Sequence, residues 1–227
     1  MADPVGTDPV SRGRFVVVEG GEGVGKSTQV RRLRAFLEDG GLPVVVTREP
    51  GGTAVGEGIR KLVLHGSRGS LPAETELLLI LAARAACVQE VVGPALAAGK
   101  WVLADRFELS SFAYQGYGRG IPLNRVARLN EFATGGLVPD LCIVLDLPVE
   151  EGMARQAHAG KSRDRFESEG CDFLTRVRHG YVESVRSRAG TVLVSARGSP
   201  GDVEERIRRE VALAFPEALG TSGTRGR

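Results

Sequence analysis

Five short apolar runs rich in β-branched residues recur along the chain, beginning with Phe15-Val16-Val17-Val18, which stops at glycines. The others lie at 43–47, 101–104, 141–145 and 191–194. Runs of this length without polar alternation read as strands buried on both faces. Between them, apolar residues fall at helical spacing. Residues 27–39 carry Val30, Leu33 and Leu37 and end at Gly40-Gly41, a helix with its stop. Further helices are predicted over 55–64, 73–98 with an interruption near Gly93-Pro94, 123–133, from Pro148 onward, 172–188 and 203–214. Strands alternating with helices predict an α/β fold, a five-stranded parallel sheet with helices on both faces. The ends carry no such pattern. Residues 1–13 and 216–227 are expected to be disordered extensions around one folded domain, 14–215.

Composition narrows the function classes. The chain has 227 residues, enough for one domain with a sizeable core. Net charge is +2, which gives no bulk electrostatic case for nucleic acid or membrane binding. The start lacks an apolar signal segment, and no run approaches 18 apolar residues, so a cytoplasmic protein without a membrane span is expected. Cys87, Cys142 and Cys171 are far apart and form no C-x-x-C pair, so metal and disulfide readings are poor. Only four lysines are present, and one lies in the motif that follows the first strand.

That motif is Gly20-Gly21-Glu22-Gly23-Val24-Gly25-Lys26-Ser27, a match to G-x-x-x-x-G-K-[ST] between a strand and a helix. Glycines let successive backbone N–H groups point into one concavity, and the helix N-terminus adds partial positive charge. Lys26 can reach the outer phosphates of a nucleoside triphosphate, and Ser27 can ligate Mg²⁺. ATP is the expected donor. The Asn-Lys-x-Asp stretch that reads guanine in GTPases is absent.

Two further strand ends carry charge. One continues as Thr47-Arg48-Glu49-Pro50-Gly51-Gly52-Thr53, the other as Asp105-Arg106-Phe107 and then Ala113-Tyr114-Gln115-Gly116. Parallel strands share one carboxyl edge, where ligands bind, so Arg48, Asp105 and Arg106 should face the crevice of Lys26. Arginine suits a phosphate because its planar fork donates paired hydrogen bonds.

With Asp164-Arg165-Phe166-Glu167, these segments in this order resemble the thymidylate kinase family over residues 15–215. The resemblance implies a P-loop NTPase fold and transfer of the ATP γ-phosphoryl group to dTMP with Mg²⁺. It implies that Gly20 to Thr28 cradle ATP, that Arg48 and Arg106 hold the dTMP phosphate, and that Asp105 helps Ser27 place the metal. Glu22 would sit near the sugar 3′-OH. Arg84 would reach the thymine edge beside Ser111 and Gln115, with Tyr114 crowding the sugar 2′ position. A homodimer through helices is implied as well.

In one branch of the family the P-loop carries an arginine, where this chain has Gly23 and Val24; another branch supplies it from a lid. The charged stretch at 158–168 is therefore expected to be that lid, with Arg165 as first choice and Arg163 as second. On this reading Arg165→Ala lowers kcat far more than it weakens dTMP binding. The chain also departs from the family at Ile80, where a phenylalanine usually stacks on thymine. That leaves open a related kinase with altered base preference, and a paralogue that binds nucleotide without catalysis stands as a second alternative.

Overall fold

The computed structural model describes residues 13–65, 71–158, 165–166 and 169–219. The predicted strands all form: β1 (Phe15–Gly20), β2 (Val44–Arg48), β3 (Trp101–Asp105), β4 (Leu141–Asp146) and β5 (Thr191–Ser195). They pair in parallel in the order β2-β3-β1-β4-β5. Successive residues of a strand point to opposite faces. Phe15, Val17, Val102, Ala104 and Val144 therefore enter one core layer, and Val16, Val18, Leu103, Ile143 and Leu145 the other.

The second layer is closed by α1 (Lys26–Asp39) and α9 (Pro200–Ala214), whose start is fixed by a reciprocal Ser199–Asp202 capping box. The first is closed by α2 (Ala54–His65), α3 (Ala73–Cys87), α6 (Leu123–Thr134) and α8 (Cys171–Ser187). The interruption expected near Gly93-Pro94 is a π-helical turn, Val88–Val92, leading into the short α4 (Gly93–Ala97). Pro94 has no N–H to give the preceding turn, and the widened turn absorbs the mismatch.

Two sequence expectations are corrected. Gly13 belongs to the folded part: it is buried, and its N–H bonds Leu96 O at 3.0 Å. Beyond Phe215, which packs edge-on against Trp101, the chain makes a short helix, α10 (Pro216–Leu219). Ala218 and Leu219 pack on the second core layer, which an all-polar tail could not do. The run Ala73–Ala97 is long and apolar enough to cross a membrane by length and composition. It nevertheless carries Glu76 and Arg84, each buried in an ion pair, and lays Leu77, Leu81 and Cys87 in the core.

The segment after β3 was not read as helical. It forms α5 (Glu108–Ser111) and a π-helical stretch, Phe112–Gly118, followed by α6. Phe112, Ala113, Tyr114, Gln115 and Gly116 are all buried, so no amphipathic period marks it. The remaining helix is α7 (Val149–His158); residues 159–164 and 167–168, which take in Arg163 and most of the expected lid, lie outside the described residues.

Candidate active site

Strand register builds the site. Arg48 of β2 lies beside Asp105 of β3, and Asp105 beside Val18 of β1, one residue before Glu19 and the phosphate loop. The loop fits only glycine where it turns. Gly20 has φ 137°, and a Cβ there would lie 2.5 Å from Leu145 O. Gly23 has φ 70°, and a Cβ would lie 2.1 Å from Gly152 O, so the loop is seated directly on α7. Val24 turns into the core beneath. Lys26 folds back over the loop, its Nζ donating to Gly20 O at 3.1 Å and Gly21 O at 2.6 Å. Burial, and then the nearby Arg106, push its pKa down. Ser27 Oγ donates to Asp105 Oδ2 at 2.8 Å.

These groups open into a cleft of about 790 Å³. Its walls carry six cationic side chains, Lys26, Arg48, Arg60, Arg84, Arg106 and Arg155, against three carboxylates, Glu22, Glu49 and Asp105. Such an excess suits a polyanionic ligand. Thr28 lines it too.

Arg106 is the hub. Its backbone has φ 76°, unusual for a residue with a side chain, and costs on the order of 1–2 kcal/mol. That conformation is held by Arg106 N to Val18 O at 3.0 Å and by the side chain's own bonds. Nη2 donates to Glu22 Oε1 at 2.6 Å and Tyr114 Oη at 3.1 Å; Nη1 donates to Gly20 O, Tyr181 Oη and Ser110 Oγ. The Tyr114 hydroxyl donates in turn to Glu22 at 2.6 Å. Burial alone would raise the Glu22 pKa, but Arg106 and Lys26 bring it below its ordinary value. Behind Arg106 stands Glu19, fully buried, accepting from Phe107 N, Ser110 N, Ser110 Oγ and Tyr181 Oη. Burial raises its pKa despite Arg106.

Arg48 is half-exposed and pinned by Glu57, both of whose oxygens take its Nη2. At the far end of the cleft lie Ile80, Leu64 and Phe166, the last edge-on to Tyr114 at 5.3 Å. Arg84 is 0% exposed. Its Nε donates to Glu49 at 2.6 Å, Nη1 to Ser111 Oγ and Asn130 Oδ1, and Nη2 to Phe107 O, which leaves one Nη2 N–H for the cleft it lines. Burial pushes the Glu49 pKa up to about 7, against the pull of Arg84. Gln115 donates its Nε2 to Glu76 at 2.7 Å, and its Oε1 is buried without a partner.

The structure thus gathers Lys26, Ser27, Arg48, Ile80, Arg84, Asp105, Arg106, Tyr114, Gln115 and Glu22 in one cleft. Ser111 is one step behind, holding Arg84. Arg165 does not join them. Its Nη2 donates to Glu76 at 2.6 Å and its Nε to Val63 O at 2.9 Å, so this guanidinium is tied to the α2–α3 side and not free on a lid. Arg60 and Arg155, which the sequence did not single out, do line the cleft, held at Pro50 O and Ala196 O. No motif marks either; each is one arginine on an amphipathic helix.

A profile of the thymidylate kinase family matches residues 18–207. The chain belongs to the thymidylate kinase family. Among its relatives, the thymidylate kinase of Alkalilimnicola ehrlichii is 43% identical over 216 residues, covering 95% of this chain and 96% of the relative. That of Synechococcus sp. (strain JA-2-3B'a(2-13)) is 47% identical over 210 residues, covering 92% and 98%. The crystal structure of thymidylate kinase from Ehrlichia chaffeensis superposes with a TM-score of 0.72 at 26% identity, covering 88% of this chain and 99% of that one. This family member therefore has the fold of a P-loop kinase, with the phosphate loop and the Arg106 hub facing one crevice.

Proposed function

We propose that this chain phosphorylates dTMP to dTDP, with ATP as donor and Mg²⁺ as the metal, in the synthesis of dTTP. One observation carries the choice of acceptor base. Beside Ile80 the cleft offers a donor, the remaining N–H of Arg84, and an acceptor, Gln115 Oε1, which like Glu49 Oε1 has no partner among the described residues. Thymine presents the complement, O4 as acceptor beside N3–H as donor. Cytosine presents the reverse.

The acceptor phosphate is largely dianionic at neutral pH, its second pKa being about 6, so no general base is required. The work is to hold two anionic nucleotides in line and to neutralise charge at the transferred group. The loop amides and Lys26 take the donor phosphates, and Arg48 and Arg106 take the acceptor phosphate. Glu57 surrenders Arg48 to the incoming anion. Glu22 fixes Arg106 and stands where a sugar 3′-OH can bond it, and Tyr114 crowds the 2′ side. Ser27 and Asp105 form a hard oxygen pair on the donor edge, which suits Mg²⁺ completed by phosphates and water. Bound there, the ion offsets charge on the transferred group. Arg155 is the arginine already placed to do the same from the wall, and Arg165 reaches the cleft only by leaving Glu76.

A homodimer is part of the reading. The outer face of α3 and α6 leaves Leu78 57% and Phe132 89% exposed, with Leu123 and Leu129 nearby on α6, on helices that pack on each other. A cytoplasmic location fits nucleotide substrates. ADP release coupled to a reporter, measured across dTMP, dUMP, dCMP and dGMP, tests the proposal. Turnover with dTMP well above the rest is expected; no turnover with any of them would favour the non-catalytic paralogue.

A further inference from the structure

The Gln115 acceptor beside Ile80 belongs to an amide, and an amide can turn. Rotating the Gln115 carboxamide by 180° exchanges Oε1 and Nε2 with little change in shape. In one sense the cleft reads a base N–H; in the other it reads a lone pair. Something outside the cleft must therefore choose. The structure assigns that choice to Glu76, a positioning residue for base selection; the inference rests on the dTMP kinase reading above.

Glu76 lies in the first turn of α3, is fully buried and does not line the cleft. Among the described residues its carboxylate's hydrogen-bond partners are all N–H donors: Gln115 Nε2 at 2.7 Å, Arg119 through Nη2 at 3.1 Å and through Nε, and Arg165 Nη2 at 2.6 Å. A carboxylate paired with two guanidinium groups is an acceptor on every side. Gln115 can meet it only with its NH₂ end, since the flipped amide would set carbonyl oxygen against carboxylate oxygen inside the protein, with the NH₂ unpaired. Two observations fit this lock. Gln115 is 1% exposed yet lines the cleft, and its Oε1 is one of three buried side-chain polar atoms without a partner among the described residues. A buried acceptor left unsatisfied beside a ligand cleft is an acceptor kept for the ligand. Glu76 therefore makes the subsite select a pyrimidine carrying N3–H and reject one carrying an N3 lone pair.

The test is the ratio of kcat/KM for dTMP to that for dCMP. In Glu76→Gln the neighbour can offer either end of its own amide, so Gln115 is released. The ratio should fall at least about tenfold, with the larger part in KM for dTMP. Glu76→Asp, still an obligate acceptor, should keep the ratio even where overall activity drops. In Glu76→Gln/Gln115→Leu the ratio should be no lower than in Gln115→Leu alone, because Glu76 acts through Gln115. A folded Glu76→Gln with the wild-type ratio overturns the inference. If Glu76→Gln does not fold, wild-type protein decides. The Gln115 side-chain NH₂, assigned by its loss in Gln115→Leu, should be protected from solvent exchange before dTMP is added. Protection that appears only with dTMP puts the NH₂ in the cleft and overturns the inference. Wild-type protein that fails to turn over dTMP at all would instead sink the functional reading beneath it.

Discussion

Arg106 and Glu22, 84 residues apart in the chain, meet at 2.6 Å in a bond that joins the acceptor side of the cleft to the phosphate loop. Tyr114 closes the triangle by donating to Glu22. Arg106 is thus built into the phosphate loop, and on the proposed reading, in which it holds the acceptor phosphate, its removal disturbs both nucleotide sites. Arg106→Ala should lower kcat/KM for dTMP by about 10²–10³-fold. Arg106→Lys should not restore it, because one ammonium cannot serve Glu22, Tyr114, Gly20 O and Tyr181 together. Steady-state kinetics of the two variants check this.

The placement of Arg165 separates two routes to charge neutralisation. Arg155→Ala should cost kcat about 10³-fold with a small change in KM for dTMP. Arg165→Ala should raise KM and lower thermal stability more than it lowers kcat, since its guanidinium holds Glu76 and Val63 O. The opposite pattern in Arg165→Ala would mean that this side chain exchanges Glu76 for nucleotide during turnover.

The end of the cleft proposed for the base holds Ile80, Leu64 and the ring of Phe166. A base face gains on the order of 1 kcal/mol from an aromatic over an aliphatic partner. Ile80→Phe should therefore lower KM for dTMP roughly fivefold, and Phe166→Leu should raise it by a similar factor. Titration calorimetry with dTMP gives the same comparison without turnover.

Glu49 makes stability depend on pH in an unusual direction. Its folded pKa is raised to about 7 from 4.5, first by burial. Between these values the folded chain holds a proton that the unfolded chain has released, so the Glu49 contribution falls as pH rises through the window. The unfolding free energy of wild type minus that of Glu49→Gln should decline by up to about 3 kcal/mol from pH 4.5 to 7 and be level above it. Urea denaturation at several pH values measures the difference.

The exposed apolar face of α3 and α6 predicts association. Phe132→Asp should convert the dimer to monomer in sedimentation experiments, leaving helix content unchanged. A wild-type chain that sediments as a monomer would remove the interface.

The strands were legible because valine and isoleucine runs bounded by glycine or acid leave little alternative, and the phosphate loop because its spacing is tied to a strand and a helix. The strand ends then placed Arg48, Asp105 and Arg106 on one edge. The partners of those residues were not legible. Glu49 with Arg84, Glu76 with Arg165 and Glu19 with Tyr181 are separated by 35, 89 and 162 residues, and only the folded packing brings them together. The helical stretch around Tyr114 and Gln115 was missed for a related reason, since burial on all sides erases the period that betrays a helix. Arg165 shows the remaining limit, because charge density marks a loop but says nothing of which carboxylate will hold its arginine.

The side-by-side register of Arg48 and Asp105 has a consequence for how such an enzyme can change. If Arg48 grips the acceptor and Asp105 marks the donor edge, as proposed, their backbones stand one inter-strand step apart, about 4.8 Å, fixed by backbone hydrogen bonds and not by side chains. Base reading sits elsewhere, on α3 and the π-helical stretch. Positions such as Ile80 can change, and the choice of acceptor with them, while the strand register that spaces Arg48 from Asp105 stays constant.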